Sequence, residues 1–114
     1  MSKNVIIDTD PGIDDALALL MALNSPELNI LAVSTTCGNV PVKQATQNLL
    51  SIFSHTSRAN LPVIAKGAEK PLKKDPFFAT YFHGQYGLGK YTPDQSAEKL
   101  QQMRKSLLSY HSAP

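Results

Sequence analysis

The apolar positions of this chain fall into short β-branched runs that alternate with longer helical stripes. Val5 to Ile7 is a β-branched run broken by Asp8-Thr9-Asp10 and then Pro11-Gly12, which predicts a buried strand leaving its sheet through a tight turn. From Asp14 to about Leu23 nearly every residue is Ala, Leu or Met, strong helix formers with apolar side chains on all faces, so a largely buried helix is expected there. Asn24-Ser25-Pro26 ends it. Leu28 to Thr36 is again almost continuously apolar or β-branched, the pattern of a parallel strand covered on both faces, and Cys37-Gly38-Asn39 is its exit loop. With Pro41 near its first turn, the stretch to about Ser54 puts Val42, Ala45, Leu49, Ile52 and Phe53 on one helical stripe. Leu61 to Ala65 reads as a short third strand.

Strand, helix, strand, helix, strand with short connections predicts an α/β fold with a doubly wound, mostly parallel sheet. Such sheets gather ligands at the carboxyl ends of their strands, where the loops 8–15 and 36–39 and the segment after Ala65 all lie. Lys66 to Tyr91 lacks sustained periodicity and holds four of the six glycines, a long loop of the kind used for binding or as a lid. Thr92-Pro93-Asp94-Gln95 then supplies an N-cap, a Pro at the first helical position and a capping-box Gln. A last helix over about 93–110 follows, with Ala97, Leu100, Met103, Leu107 and Leu108 on its apolar face. No repeat or low-complexity tract interrupts the 114 residues, which read as one domain over 1–114.

A composition of 42% hydrophobic and 18% charged residues is that of a soluble globular protein. The formal charge of +2, with its basic residues scattered, does not point to a nucleic-acid partner. One cysteine, Cys37, excludes an internal disulfide framework and favours a reducing compartment, the cytoplasm; packing points to a small buried residue rather than a nucleophile. The three apolar residues before Asp8 are too few for a signal-peptide core or a membrane span, so no membrane partner is expected.

The acidic residues change the picture most. Four of the nine, Asp8, Asp10, Asp14 and Asp15, sit within eight positions, and no Lys or Arg lies between Lys3 and Lys43. Carboxylates crowded without a basic neighbour repel, so such a cluster is expected to bind a cation or share protons. Helix-dipole complementarity, about 0.3–1 kcal/mol per charge, accounts for Asp14 or Asp15 singly but not for Asp8 and Asp10 at a strand end. An EF-hand loop counted from Asp8 needs Gly and Glu where Ile13 and Leu19 stand. The haloacid-dehalogenase phosphotransferase pattern accepts Asp8 and Asp10 but finds Gly12 at its Thr or Val position and leaves Asp14-Asp15 unexplained.

The run Asp8 to Leu19, DTDPGIDDALAL, resembles in full the N-terminal signature of the inosine-uridine nucleoside hydrolase family. Two further motifs extend the resemblance in the same order: Thr36-Cys37-Gly38-Asn39 at the second strand exit, and His83-Gly84-Gln85-Tyr86-Gly87-Leu88 in the long loop, the latter forming part of a loop 83–89. Many members carry an acidic residue where Tyr86 stands, which bears on loop closure or base preference.

That resemblance implies calcium-assisted hydrolysis of the N-glycosidic bond of purine or pyrimidine ribonucleosides to ribose and free base, inverting at the anomeric carbon. Carried over by position, Asp10 is a Ca2+ ligand and the general base, Asp15 a bidentate ligand, and Asp14 an acceptor for a ribose hydroxyl. Asn39 hydrogen-bonds the ribose, with an αL turn or a helix N-cap beside Pro41 as its structural alternative, and His83 lines the nucleobase pocket. Asp8 orients the loop. Oxygen-only ligands suit calcium, and anionic groups beneath the sugar suit an oxocarbenium-like transition state.

The resemblance covers most of the chain but only the N-terminal part of the family's catalytic domain, whose later segment supplies a further metal-binding Asp. An apolar helix face and open sheet edges on so short a domain lead us to expect a homo-oligomer in which the last helix packs on a neighbour. A non-catalytic ligand-binding protein that kept the fold is the alternative function, and the phosphotransferase a distant one.

Overall fold

The computed structural model describes residues 1–57 and 60–90, so the helix expected over 93–110 lies outside the described residues. Three strands, β1 (Lys3–Thr9), β2 (Leu28–Thr35) and β3 (Val63–Lys66), form a parallel sheet in the order β1-β2-β3. Helix α1 (Ile13–Leu23) joins the first pair and α2 (Val42–Ser54) the second. A third helix, α3 (Thr80–His83), is a single turn inside the long loop, too short to leave a periodic signal in the sequence.

Both long helices pack on one face of the sheet. The core they form with it unites Leu19 and Leu23 of α1, Leu49, Ile52 and Phe53 of α2, Ile30 and Val33 of β2 and Ile64 of β3. Burying an aliphatic side chain of this kind contributes about 1.5–3 kcal/mol, so these few residues supply most of the force that holds helices to sheet. All five residues assigned to the stripe of α2 are buried, as the spacing predicts.

The expectation that α1 is buried all round is not met. Leu17 and Met21 are 63% and 65% exposed, because the sheet takes one side of the helix and nothing among the described residues takes the other. Likewise Ile6 of β1 is 70% exposed and Leu31 of β2 47%, so β1 and β2 are covered on one face rather than two among the described residues. Cys37 is half-buried.

Strand β2 carries one residue more than its partner. Val5 pairs with Ile30 but Ile6 pairs with Ala32, leaving Leu31 as a bulge, after which Ile7, Asp8 and Thr9 pair with Val33, Ser34 and Thr35.

Candidate functional site

Two strand exits meet at the carboxyl end of the sheet. Asn39 and Asp10 clasp each other: the Asn39 backbone N–H donates to Asp10 Oδ2 at 3.0 Å, and Asn39 Nδ2 donates to the Asp10 carbonyl at 2.8 Å. The approach is close: a Cβ at Gly38 would lie 2.1 Å from Asp10 Oδ2, so any larger residue there would displace the carboxylate. Gly12 is equally confined, with Asn39 Nδ2 and His83 Nδ1 each 2.8 Å from where its Cβ would be. Asn39 is neither in a left-handed turn nor the N-cap of α2, which is Pro41. Neither structural role expected for this residue is the one it takes.

Asp10 is half-buried, whereas Asp8, expected at a buried strand end, is exposed. Strand β1 runs on to Thr9, and alternation along it turns Thr9 inward and Asp8 to the open face, where Asp8 Oδ1 accepts from Ser34 Oγ at 2.6 Å. Thr9, which the sequence did not single out, donates its hydroxyl to Asp15 Oδ2 at 3.0 Å and so tethers the first turn of α1 to the strand end. Asp14 and Asp15 both lie in that first turn, Asp14 exposed and Asp15 half-buried. A cleft of about 220 Å³ beside β1 is lined in part by Asp8, Thr9 and Asp15.

The His83 loop closes over the same corner. His83 Nδ1 accepts from the Ile13 backbone N–H at 3.3 Å, capping the start of α1, and Ala79 N–H donates to the Asn39 carbonyl at 2.9 Å. Because Nδ1 accepts, the neutral imidazole carries its proton on Nε2. Within the loop Gly87 N–H donates to the Gly84 carbonyl and Gly89 N–H to the His83 carbonyl, a fold-back that uses positive φ at all three glycines. The structure thus brings Asp10, Asn39 and His83 to one corner around Gly12.

Among the described residues no Lys or Arg pairs with any of the four aspartates; the ion pair present there joins Lys66 to Glu69. Nor do three His, Cys, Asp or Glu side chains converge among them into a group able to hold a metal ion. Asp10 and Asp15 offer an oxygen-only, unneutralised donor set, the chemistry a hard cation requires, but two carboxylates meet only part of the about 6–8 oxygens that calcium takes. The two carboxylates have the donor chemistry of such a site without completing it.

Residues 5–112 match the model of a family described as inosine-uridine preferring nucleoside hydrolase. The pyrimidine-specific ribonucleoside hydrolase RihA of Shewanella sp. (strain MR-7) is 47% identical over 88 residues, which are 77% of this chain and 27% of that protein. Uridine nucleosidase 1 of Arabidopsis thaliana is also 47% identical over 88 residues, 76% of this chain and 26% of that one. Among solved structures, a plant nucleoside hydrolase, the PpNRh1 enzyme, superposes with a TM-score of 0.74 at 42% identity, covering 82% of this chain and 30% of its own. The chain therefore spans about a quarter of the length of these two curated relatives.

Proposed function

This chain belongs to the inosine-uridine preferring nucleoside hydrolase family, and on that premise we propose that it provides the aspartate-loop side of a site that hydrolyses the N-glycosidic bond of ribonucleosides. Pyrimidine ribonucleosides such as uridine are the favoured substrates, because the relatives at 47% identity are named for them. The observation that carries the reading is the clasp of Asp10 by Asn39, which holds an unneutralised carboxylate at the strand exit beside the His83 loop.

In this reading Asp10 is the general base that takes a proton from the attacking water, and its carboxylate with that of Asp15 would hold a calcium ion. Such an ion, when bound, supplies a positive anchor for the ribose diol and makes a coordinated water more acidic. Asp10 needs a fixed orientation to receive the proton, and the Asn39 N–H on Oδ2 provides it while Oδ1 stays available. Asp14, exposed in the first turn of α1, accepts a hydrogen bond from a ribose hydroxyl. Asn39 has a second Nδ2 hydrogen beyond the one given to the Asp10 carbonyl, and it serves the ribose. The three carboxylates place negative charge near a sugar ring that becomes positive as the base departs. His83 presents its Nε2–H to the nucleobase, its Nδ1 being held by Ile13.

The test is release of free base from uridine and from inosine with calcium present, compared with an Asp10→Ala variant. Loss of release in the variant is the expected outcome, and equal rates in the two proteins would end the hydrolase claim. Calcium binding without release would instead favour a ligand-binding protein that kept the fold. We further propose a homo-oligomer, supported by the exposed Ile6, Leu17 and Met21, and a cytoplasmic setting, supported by the free thiol of Cys37. A stable monomer by light scattering at micromolar concentration would count against the oligomer.

A further inference from the structure

Asn48 is a fully buried polar side chain of α2, at 0% exposure, and its hydrogen bonds leave the helix in two directions. Its Nδ2 donates to the Pro11 carbonyl at 3.3 Å and to the Tyr86 carbonyl, and its Oδ1 accepts from Gln44 Nε2 at 2.9 Å. Carbonyl oxygens only accept, so the end facing Pro11 and Tyr86 has to be the amide nitrogen, and both of its hydrogens are used. No other side chain of this size satisfies all three partners: Asp has the shape without the donors, and Leu has the volume without any polar atom.

The two carbonyls belong to the two segments that form the site. Pro11 lies between Asp10 and the start of α1, and Tyr86 lies in the fold-back that carries His83. Gly87 rests directly on the same amide, since a Cβ there would come 3.2 Å from Asn48 Nδ2 and 2.8 Å from Val40 Cγ1.

We propose that Asn48 is a positioning residue that locks the aspartate loop and the His83 loop into one relative arrangement. Loosening either loop then loosens the other, because an unpaired buried amide or carbonyl costs more than the contact it replaces and the three groups separate together. The catalytic consequence rests on the hydrolase reading given above; the coupling itself does not.

Amide hydrogen exchange tests the coupling. The reporters are Ala16, whose N–H is bonded to the Gly12 carbonyl, and Gly89, whose N–H is bonded to the His83 carbonyl. In Asn48→Leu, which keeps the volume, both reporters are expected to exchange at least about tenfold faster while the amides that pair β2 with β1 and β3 stay protected. Asn48→Ala gives the same pattern should the larger residue fit badly. Gly87→Ala approaches from the other side: it should speed Ala16 in the wild-type background, and speed it less in Asn48→Leu, so that the two substitutions are not additive. Acceleration at one reporter alone, at neither, or uniformly over the whole domain would overturn the proposal, as would full additivity. In uridine hydrolysis the expected signature of Asn48→Leu is a fall in kcat larger than the change in KM. A wild-type chain that releases no base removes only the kinetic readout, and the exchange experiment still decides the coupling.

Discussion

Gly38→Ala separates the stability of this fold from the chemistry of its aspartate loop. The added methyl would sit 2.1 Å from Asp10 Oδ2 and 2.8 Å from Asp10 Cγ, well inside contact distance. The obstructing atoms are the end of a side chain, so the carboxylate swings away and the backbone need not move. In swinging it gives up the 3.0 Å hydrogen bond from the Asn39 N–H. A bond from an amide to a charged acceptor contributes about 1.5–3 kcal/mol, and because water reaches this half-buried group and replaces part of it, the net loss of stability should be about 1–2 kcal/mol. The rate should suffer more. Displacing a reacting group by an ångström costs on the order of 100-fold, so uridine hydrolysis should fall by about that factor in a protein that remains folded. Urea denaturation measures the first quantity and base release the second. Hydrolysis within about threefold of wild type would show that the Asp10 orientation seen here is not the one that matters, and the reasoning would fail.

Gly67→Ala makes the contrasting case, because its Cβ would lie 2.2 Å from the backbone carbonyl oxygen of Thr35, which no rotamer change relieves. Urea denaturation should show a loss above about 2 kcal/mol, larger than for Gly38→Ala. Leu49→Ala empties a site at 0% exposure in the middle of the core and should cost about 2–5 kcal/mol by the same measurement. Ile6→Thr on the open face of β1 should change stability by no more than about 0.5 kcal/mol while reducing self-association seen by light scattering; a large loss would mean that this face is covered. Thr9→Val removes the hydroxyl held by Asp15 and should weaken calcium binding measured by calorimetry with little change in secondary structure by circular dichroism.

The strands and the two long helices were legible because each is a run of one period bounded by Asp, Asn, Gly or Pro. The sequence overstates the burial of α1 because Leu17 and Met21 are apolar whether or not anything covers them; composition states what a face could bury, not what lies against it. The outward turn of Asp8 followed from parity once β1 is known to reach Thr9, and a strand ended at Ile7 hides it. At the site, the family resemblance implies that Asp10, Asn39 and His83 serve one site, and the hydrogen bonds among their segments bring them to one corner. Thr9 and Asn48 were not legible. A threonine in a strand and an asparagine in a helix carry no mark of their tertiary partners, although an Asn beside Leu49 on a buried stripe is a signal that a polar group has something specific to bind.

The extra residue at Leu31 sets the phase of the sheet. Up to Ile30 the inward positions of β2 fall on even numbers, and beyond the bulge Val33 and Thr35 take them on odd ones. Thr35 can meet the hydroxyl of Thr46 at 2.8 Å beneath the site because of that single step. A strand that kept every residue but paired without the bulge would keep its hydrophobic content, yet it would rotate Ser34 into the interior, send Thr35 to the open face, and aim the loop bearing Asn39 away from Asp10.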